Sequence, residues 1–519
     1  MNPFQTKATS DSEETVLVSP FHSAAKRLSS GTQQQEALWV ELCGASGKHL
    51  LVEARAGSGK SSSCREGMWR MLERKASLAI RYAVFNAQNA REFKEDCPPC
   101  VEVGTVHSFG YAALQRAFAS KLEKLKTYLI LDESREGKSM PRYLRRSISF
   151  IAAHAKNQGY DPRKPDIDRL IDLAIHYDTN TYGRPAWCAD WAQNVLLRSL
   201  QWTELVDFDD MIWLPGMHRI EFPQMDALFL DEVQDWNPAQ HALIPLMCRS
   251  GRVIAVGDRY QAIYAFRGAD ADSIPNLARQ LGVTSEGLTE LPLTITWRCP
   301  RSHVALAQKY VFDIESHPNA SDGEIGTLRL DQAAGLFAPG DMVLSPTNAP
   351  LIQNALRLIA SRRRCFVRGR AVGDQLIGVL RQCGEAKTIS ELGRSVRQWH
   401  SRELTRLSDM DGVEDLIESV QDRADGLLAI VSTCDSPNQV EGAIGELFTD
   451  VSSPKSTPDA VVFSTIHRAK GLEAQNIWLL KPPTRMAKQA WEEQQQRNLR
   501  YVGLTRSKHR LVFVEMPKQ

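Results

Sequence analysis

The stretch Leu51-Val52-Glu53-Ala54-Arg55-Ala56-Gly57-Ser58-Gly59-Lys60-Ser61 carries the reading of the whole chain. A short apolar strand runs into a loop of small residues ending in Gly-Lys-Ser, which is the pattern of a phosphate cradle. Gly57 and Gly59 leave room for backbone N–H groups, those of Ala56 and Ser58 included, to converge on phosphate oxygens. A helix starting near Lys60 adds its positive end. Lys60 is placed to reach β- and γ-phosphates, and Ser61 to ligate Mg²⁺. Ala54 stands where the pattern usually begins with glycine, so the loop alone is also compatible with a plain Gly-rich turn, and other residues must complete the site.

The surrounding composition sets the class. The chain has 519 residues, 43% hydrophobic and 24% charged, which predicts a soluble globular protein of about three or four structural units. A net charge of +1 means that any nucleic-acid binding must come from local basic patches. No apolar run approaches the roughly 20 residues of a membrane span. Residues 1–19 are polar and lack the apolar core of a signal peptide. A cytoplasmic protein with no membrane partner is expected. The ten cysteines are scattered and read as reduced thiols. Cys97-Pro98-Pro99-Cys100 lacks the second pair that a zinc site needs, and reads as a loop.

Outward from the loop, the chain supplies complementary groups. Ala227-Leu228-Phe229-Leu230-Asp231-Glu232 is an apolar strand ending in two carboxylates. One is suited to hold Mg²⁺ through its water shell, the other to orient or deprotonate an attacking water. A phosphate loop followed by an acidic strand end predicts an NTPase. Upstream, the helix-forming Thr32-Gln33-Gln34-Gln35-Glu36-Ala37-Leu38 offers a glutamine amide, with the donor and acceptor that an adenine edge requires, although glutamines also open solvated helices. Gly104-Thr105-Val106-His107-Ser108-Phe109 closes a second strand-helix unit, with His107 open to a structural or a ligand-facing role.

Between residues 111 and 200 helical patterns replace strands, with an amphipathic stripe at Leu144, Ile148, Ile151 and Ala155. Lys121, Lys124, Lys126, Arg142, Arg145 and Arg146 crowd the polar faces, as a solvated surface or a nucleic-acid track would. After the strand Arg252–Gly257, the run Gln261-Ala262-Ile263-Tyr264-Ala265-Phe266-Arg267-Gly268 interleaves aromatics with Arg. That composition suits either base stacking or capping of a sheet. The second half has further strand-like runs around residues 342–345, 461–464, 477–480 and 511–514, and no second phosphate loop. Arg298 and Arg506 stand out there, as surface charges or as site residues.

Taken in order, these motifs resemble the UvrD/Rep-like group of superfamily 1 helicases. The resemblance runs from about residue 28 to the C-terminus. It is carried by Ala54–Ser61, Thr105–Phe109, Asp231-Glu232-Val233-Gln234-Asp235, the run from Val256 to Ala269, Thr296-Trp297-Arg298, Thr465–Glu473 and Tyr501–Arg506. It implies an α/β protein of two RecA-like parallel-sheet domains, each with a helical insertion. The expected divisions are a flexible tail at 1–19, a first domain at 20–110 and 201–292 with an insertion at 111–200, and a second domain at 293–380 and 455–519 with a short insertion at 381–454.

The same resemblance implies residue roles. Gln34 would read adenine, Trp297 would stack on it and Glu473 would meet the ribose. Lys60, Ser61, Asp231 and Glu232 would serve phosphate, metal and water, and Gln261 would sense the γ-phosphate or its water. Arg298 and Arg506 would be arginine fingers. His107, Phe109, Tyr264, Phe266, Arg267, Thr465 and His467 would line a single-strand track. ATP, Mg²⁺ and single-stranded DNA with its duplex junctions are implied, as is 3′-to-5′ movement. Alternatives are a translocase that displaces proteins, or an ATPase subunit with a protein partner in a repair, replication, nuclease-helicase or defence complex. The chain departs from the family at Thr296, where asparagine is usual, at Gln495 and Gln496, where acids are common, and near Ala87-Gln88, which lacks a lysine. A fused nuclease is not expected, because the chain ends soon after Arg506.

Overall fold

The computed structural model describes residues 27–44, 46–177, 179–263, 272–284, 287–408, 414–449, 459–481 and 490–516. Two parallel sheets organise them. The first contains β1 His49–Ala54, β2 Ile80–Val84, β3 Glu102–Thr105, β4 Ala227–Leu230, β5 Arg252–Gly257 and β6 Leu288–Leu293, in the order β3-β2-β4-β5-β1-β6. The inner strands are apolar runs because both of their faces are covered. Successive side chains go to opposite sides: Leu50 and Val52 join Phe229 and Trp39 in one core, while Leu51 joins Leu228, Leu230 and Trp236 in the other.

The second sheet contains β7 Glu324–Arg329, β8 Met342–Ser345, β9 Cys365–Arg368, β10 Phe448–Thr449, β11 Val461–Thr465, β12 Ala474–Lys481 and β13 Ser507–Glu515. Its order is β7-β13-β12-β8-β11-β9-β10, parallel throughout. Two such sheets with flanking helices are the RecA-like α/β architecture. No helix among the described residues is long and apolar enough to cross a membrane.

The two helical segments differ in how they are built. The one between β3 and β4 has its own core, in which Leu144, Ile148, Ile151 and Ala155 lie on the buried face of helix Arg142–Asn157 beside Leu196 and Trp213. It also holds a small strand pair, Lys121–Leu122 with Leu205–Val206, where only helix was expected. Lys126 is not on a polar surface. It is 0% exposed, donating to the Asp210 carboxylate at 2.6 Å and to the Ser199 carbonyl at 3.0 Å. The counter-charge of Asp210 makes that burial tolerable. The helices after β9, from Arg370–Gln382 to Pro437–Leu447, share the second sheet's core: Leu376, Trp399, Leu427 and Ile444 pack in one cluster with Val343, Val461 and Phe463.

Candidate active site

The site forms at the carboxyl ends of β1, β4 and β5, where parallel α/β sheets bind ligands. After β1 the backbone turns through Gly57 and Gly59, at φ of 73° and 81°. Gly57 is needed twice, because a Cβ there would also lie 2.6 Å from both the Arg298 Cβ and the Thr296 Oγ1. Helix Lys60–Arg74 then starts with no side-chain cap, so its first N–H groups are open to an anion. The buried Ser58 hydroxyl makes no hydrogen bond among the described residues. Lys60 donates to Glu232 Oε1 at 2.8 Å. Burial opposes its charge, but Glu232, Asp231 and Asp258 outweigh that and raise its pKa.

The two carboxylates at the end of β4 are held differently. Asp231 accepts from the Tyr82 hydroxyl at 2.9 Å and from the Glu232 N–H at 2.9 Å. Burial and the charge of Glu232 push its pKa up to about 6. Glu232 has a left-handed backbone, φ 53°, a conformation that costs a non-glycine residue about 1–3 kcal/mol and clusters at functional sites. Its carboxylate lies among Lys60, Lys470 at 3.6 Å and the Gln234 amide. Despite burial, these cations hold it well below the usual range, so it stays ionised.

Groups from both sheets meet at this edge. Gln261 donates to Asp258 Oδ2 at 2.7 Å and lies 3.5 Å, through its Oε1, from Arg506 Nη2. Arg506 is buried and donates to the Val502 carbonyl at 2.9 Å. Burial, with Arg298 nearby, lowers its pKa to about 10, which leaves it charged at neutral pH. Arg298 donates to Glu473 at 2.8 Å, and Lys508 pairs with the same carboxylate at 2.5 Å. Burial works against ionisation of Glu473, but the two cations hold its pKa at about 2. In this conformation Glu473 therefore holds Arg298.

Two site residues were not singled out by sequence reasoning. Lys470 crosses from the second domain to pair with Asp235 and to donate to the Gln261 carbonyl at 2.8 Å. The Tyr501 hydroxyl accepts from the Ala56 N–H at 2.9 Å and donates to Asp258 at 3.3 Å. Both lie inside quoted motifs, and only the meeting of the two sheets exposes their role. Thr296, the departure from asparagine, accepts from the N–H groups of Arg298 and Cys299, each at 3.3 Å, and so shapes the turn that presents Arg298.

On the side expected to face the adenine, Trp297 is 51% exposed, stacked on His317 with ring centroids 4.0 Å apart. Its backbone N–H donates to the Gly57 carbonyl at 2.9 Å, which anchors it to the phosphate loop. The Gln34 amide bonds Thr294, donating to Oγ1 and accepting from N–H, each at 2.8 Å. The amide keeps a second N–H and a second lone pair.

Along the expected strand track, His107 opens helix Val106–Phe118 just after β3, and burial keeps its pKa low. Thr465 ends β11, with His467 two residues on. Phe109, expected to line the same track, is mostly buried. It is 7% exposed, because its ring packs in the first domain's core, beside Gly104 and under the Arg81 guanidinium at 4.9 Å. Tyr264, Phe266 and Arg267 lie outside the described residues.

Residues 32–281 match the UvrD/REP helicase N-terminal domain family, and residues 460–514 the UvrD-like helicase C-terminal domain family. The chain is similar to the ATP-dependent DNA helicase PcrA of Leuconostoc citreum, 28% identical over 266 residues, covering 44% of this chain and 33% of the relative. PcrA of Staphylococcus aureus is 26% identical over 254 residues, covering 43% and 33%. F-box DNA helicase protein 1 of Schizosaccharomyces pombe is 23% identical over 557 residues, covering 96% and 58%. The chain thus spans from 33% to 58% of the length of these relatives. The first family match contains Lys60, Asp231, Glu232 and Gln261, and the second contains Lys470, Glu473 and Arg506. With both sheets and both matched segments in place, the chain belongs to the UvrD/Rep-like superfamily 1 helicases.

Proposed function

We propose that this chain is an ATP-driven motor that moves 3′ to 5′ along single-stranded DNA and separates duplex ahead of it. The observation that carries the reading is the cleft. An open phosphate loop, Lys60 and two carboxylates on one domain face Lys470, Arg298 and Arg506 on the other. Loop amides and Lys60 bind the phosphates of ATP, Trp297 and Gln34 its base, and Glu473 its ribose. The ionised Glu232 accepts a proton from the attacking water, which Gln261 orients, while Arg298 and Arg506 stabilise charge on the transferred phosphoryl group. Ser61 and Asp231 suit a Mg²⁺ ion, which when bound supplies positive charge to the phosphate oxygens.

For Lys60 to serve phosphate it must leave Glu232, and for Arg298 to serve it must leave Glu473. Nucleotide binding therefore trades internal ion pairs for ligand contacts, and hydrolysis reverses the trade, which couples chemistry to domain movement. His107, Thr465 and His467, at strand ends of both domains, would hold the strand during that cycle, together with Tyr264, Phe266 and Arg267.

The test is ATP turnover at fixed salt with single-stranded DNA, single-stranded RNA and duplex DNA, followed by unwinding of duplexes carrying a 3′ or a 5′ tail. Strong stimulation by single-stranded DNA with unwinding from the 3′ tail is expected. Equal turnover with and without DNA would sink the motor reading. One observation favours a second reading: the described residues of the helices after β9 share the second sheet's core. On that reading the motor displaces proteins, or works within a complex, and a protein-displacement assay run beside strand displacement separates the two.

A further inference from the structure

We propose that Arg55 is a positioning residue through which the segment joining the two domains controls the orientation of Gln261. The proposal deepens the ATPase reading above and rests on it. Arg55 lies inside the phosphate loop, yet its side chain leaves the phosphate site. It is 4% exposed and forms a two-pronged bond to Asp313, Nε to Oδ1 at 2.8 Å and Nη2 to Oδ2 at 2.7 Å. Glu53 lies 3.7 Å from the guanidinium, and the Tyr260 ring 4.9 Å beneath it. Asp313 follows helix Arg301–Ala307. Its neighbours Val311 and Ile314 pack in one apolar cluster with Ala56 of the phosphate loop, Cys299 and Tyr501. The joining segment, the phosphate loop and helix Ala490–Leu504 of the second domain therefore meet at this point.

The other end of Arg55 reaches the catalytic side. Nη1 is buried, lies 3.6 Å from Asp258 Oδ1 and makes no hydrogen bond among the described residues. Asp258 is itself fully buried and uses its other oxygen to hold the Gln261 amide at 2.7 Å and the Tyr501 hydroxyl at 3.3 Å. Gln261 in turn lies 3.5 Å from Arg506. One line of polar groups thus runs Asp313, Arg55, Asp258, Gln261, Arg506. A bidentate guanidinium–carboxylate pair transmits direction as well as position. When the joining segment moves, Asp313 carries the guanidinium with it, and closing the gap at Nη1 pulls on the carboxylate that sets Gln261. A buried ion pair adds little net stability over apolar packing, so the contribution of Arg55 lies in this directional link.

The test uses the full chain with Mg²⁺, ATP and a single-stranded oligonucleotide, comparing Arg55→Lys and Asp313→Asn with wild type and then in a Gln261→Ala background. Lysine keeps the charge and loses the fork; asparagine keeps the shape and loses the charge. Loss of one charge-assisted hydrogen bond corresponds to about a tenfold fall in kcat. That fall is expected in each variant, with the KM for ATP little changed. The double variant should be no slower than either single one, and no further loss should appear once Gln261 is alanine. A merely structural role would lower the fraction of protein that binds nucleotide and would act equally in the Gln261→Ala background. Turnover within twofold of wild type in both variants, or losses that multiply with Gln261→Ala, would overturn the proposal. A wild-type protein that hydrolyses no ATP would overturn the motor reading first, and this inference with it.

Discussion

Glu232 concentrates the chemistry at the residue scale. Its left-handed backbone and its place between Lys60 and Lys470 fix an ionised carboxylate beside the phosphate loop. Glu232→Gln keeps the shape, replaces one of the oxygens that accept from Lys60 and Gln234 by an NH₂ donor, and removes the proposed base. Turnover should fall by about 10²–10⁴-fold while nucleotide binding survives, whereas Lys60→Ala should lose both; fluorescent-nucleotide titration beside steady-state turnover checks the split. Glu473 makes a different statement, about pH. Its folded pKa of about 2 lies below the ordinary 4.5, so its ion pairs contribute stability above pH 4.5 that is lost as pH falls toward 2. The gap in denaturant midpoint between wild type and Glu473→Gln should be complete at pH 7 and shrink below pH 4.5. A constant gap across that range would show that its cations do not hold it.

At the scale of elements, the two helical segments invite opposite expectations. Ile148 sits in a core that belongs to the first segment, and Leu427 in one shared with the second sheet. Either residue changed to alanine should cost about 2–5 kcal/mol. Limited proteolysis should distinguish them. Ile148→Ala should open cuts confined to the region 106–217, while Leu427→Ala should open cuts in the second sheet and reduce ATP turnover, because Arg298, Lys470 and Arg506 depend on that sheet. The buried Lys126 and Lys156, both paired with Asp210, explain why the basic appearance of the first segment overstates its charged surface.

The whole molecule is a cleft already crossed by contacts. Lys470 reaches Asp235 and Gln261, Arg506 reaches Gln261, Tyr501 reaches Ala56 and Asp258, and Asn498 donates to the Ala262 carbonyl at 2.8 Å. Lys470→Ala removes a cation that pairs with both Asp235 and Glu232 and should lower kcat by tenfold or more, by about the value of a buried charge-assisted bond. Affinity for ATP should change less, since Lys60 and the loop amides remain. Equal losses in kcat and kcat/KM with no change in binding, measured by single-turnover hydrolysis, would place Lys470 on the phosphoryl-transfer step; unchanged hydrolysis would reduce it to a surface tie.

What the sequence determined by itself was local: strands, because apolar runs of four to six residues need two covered faces, and the phosphate loop, because Gly57, Gly59, Lys60 and Ser61 are neighbours whose geometry is set by the backbone. Asp231 and Glu232 were legible for the same reason, as a strand end with two acids. Tertiary structure decided everything that depends on long separations. Phe109 packs in a core, Lys126 is buried, Gln34 is bonded to Thr294, Arg55 is forked onto Asp313, and Lys470 and Tyr501 bond across the cleft. Side-chain direction and partner are chosen when distant segments pack, and a charge reads alike in a sequence whether it ends in water or beside a buried carboxylate.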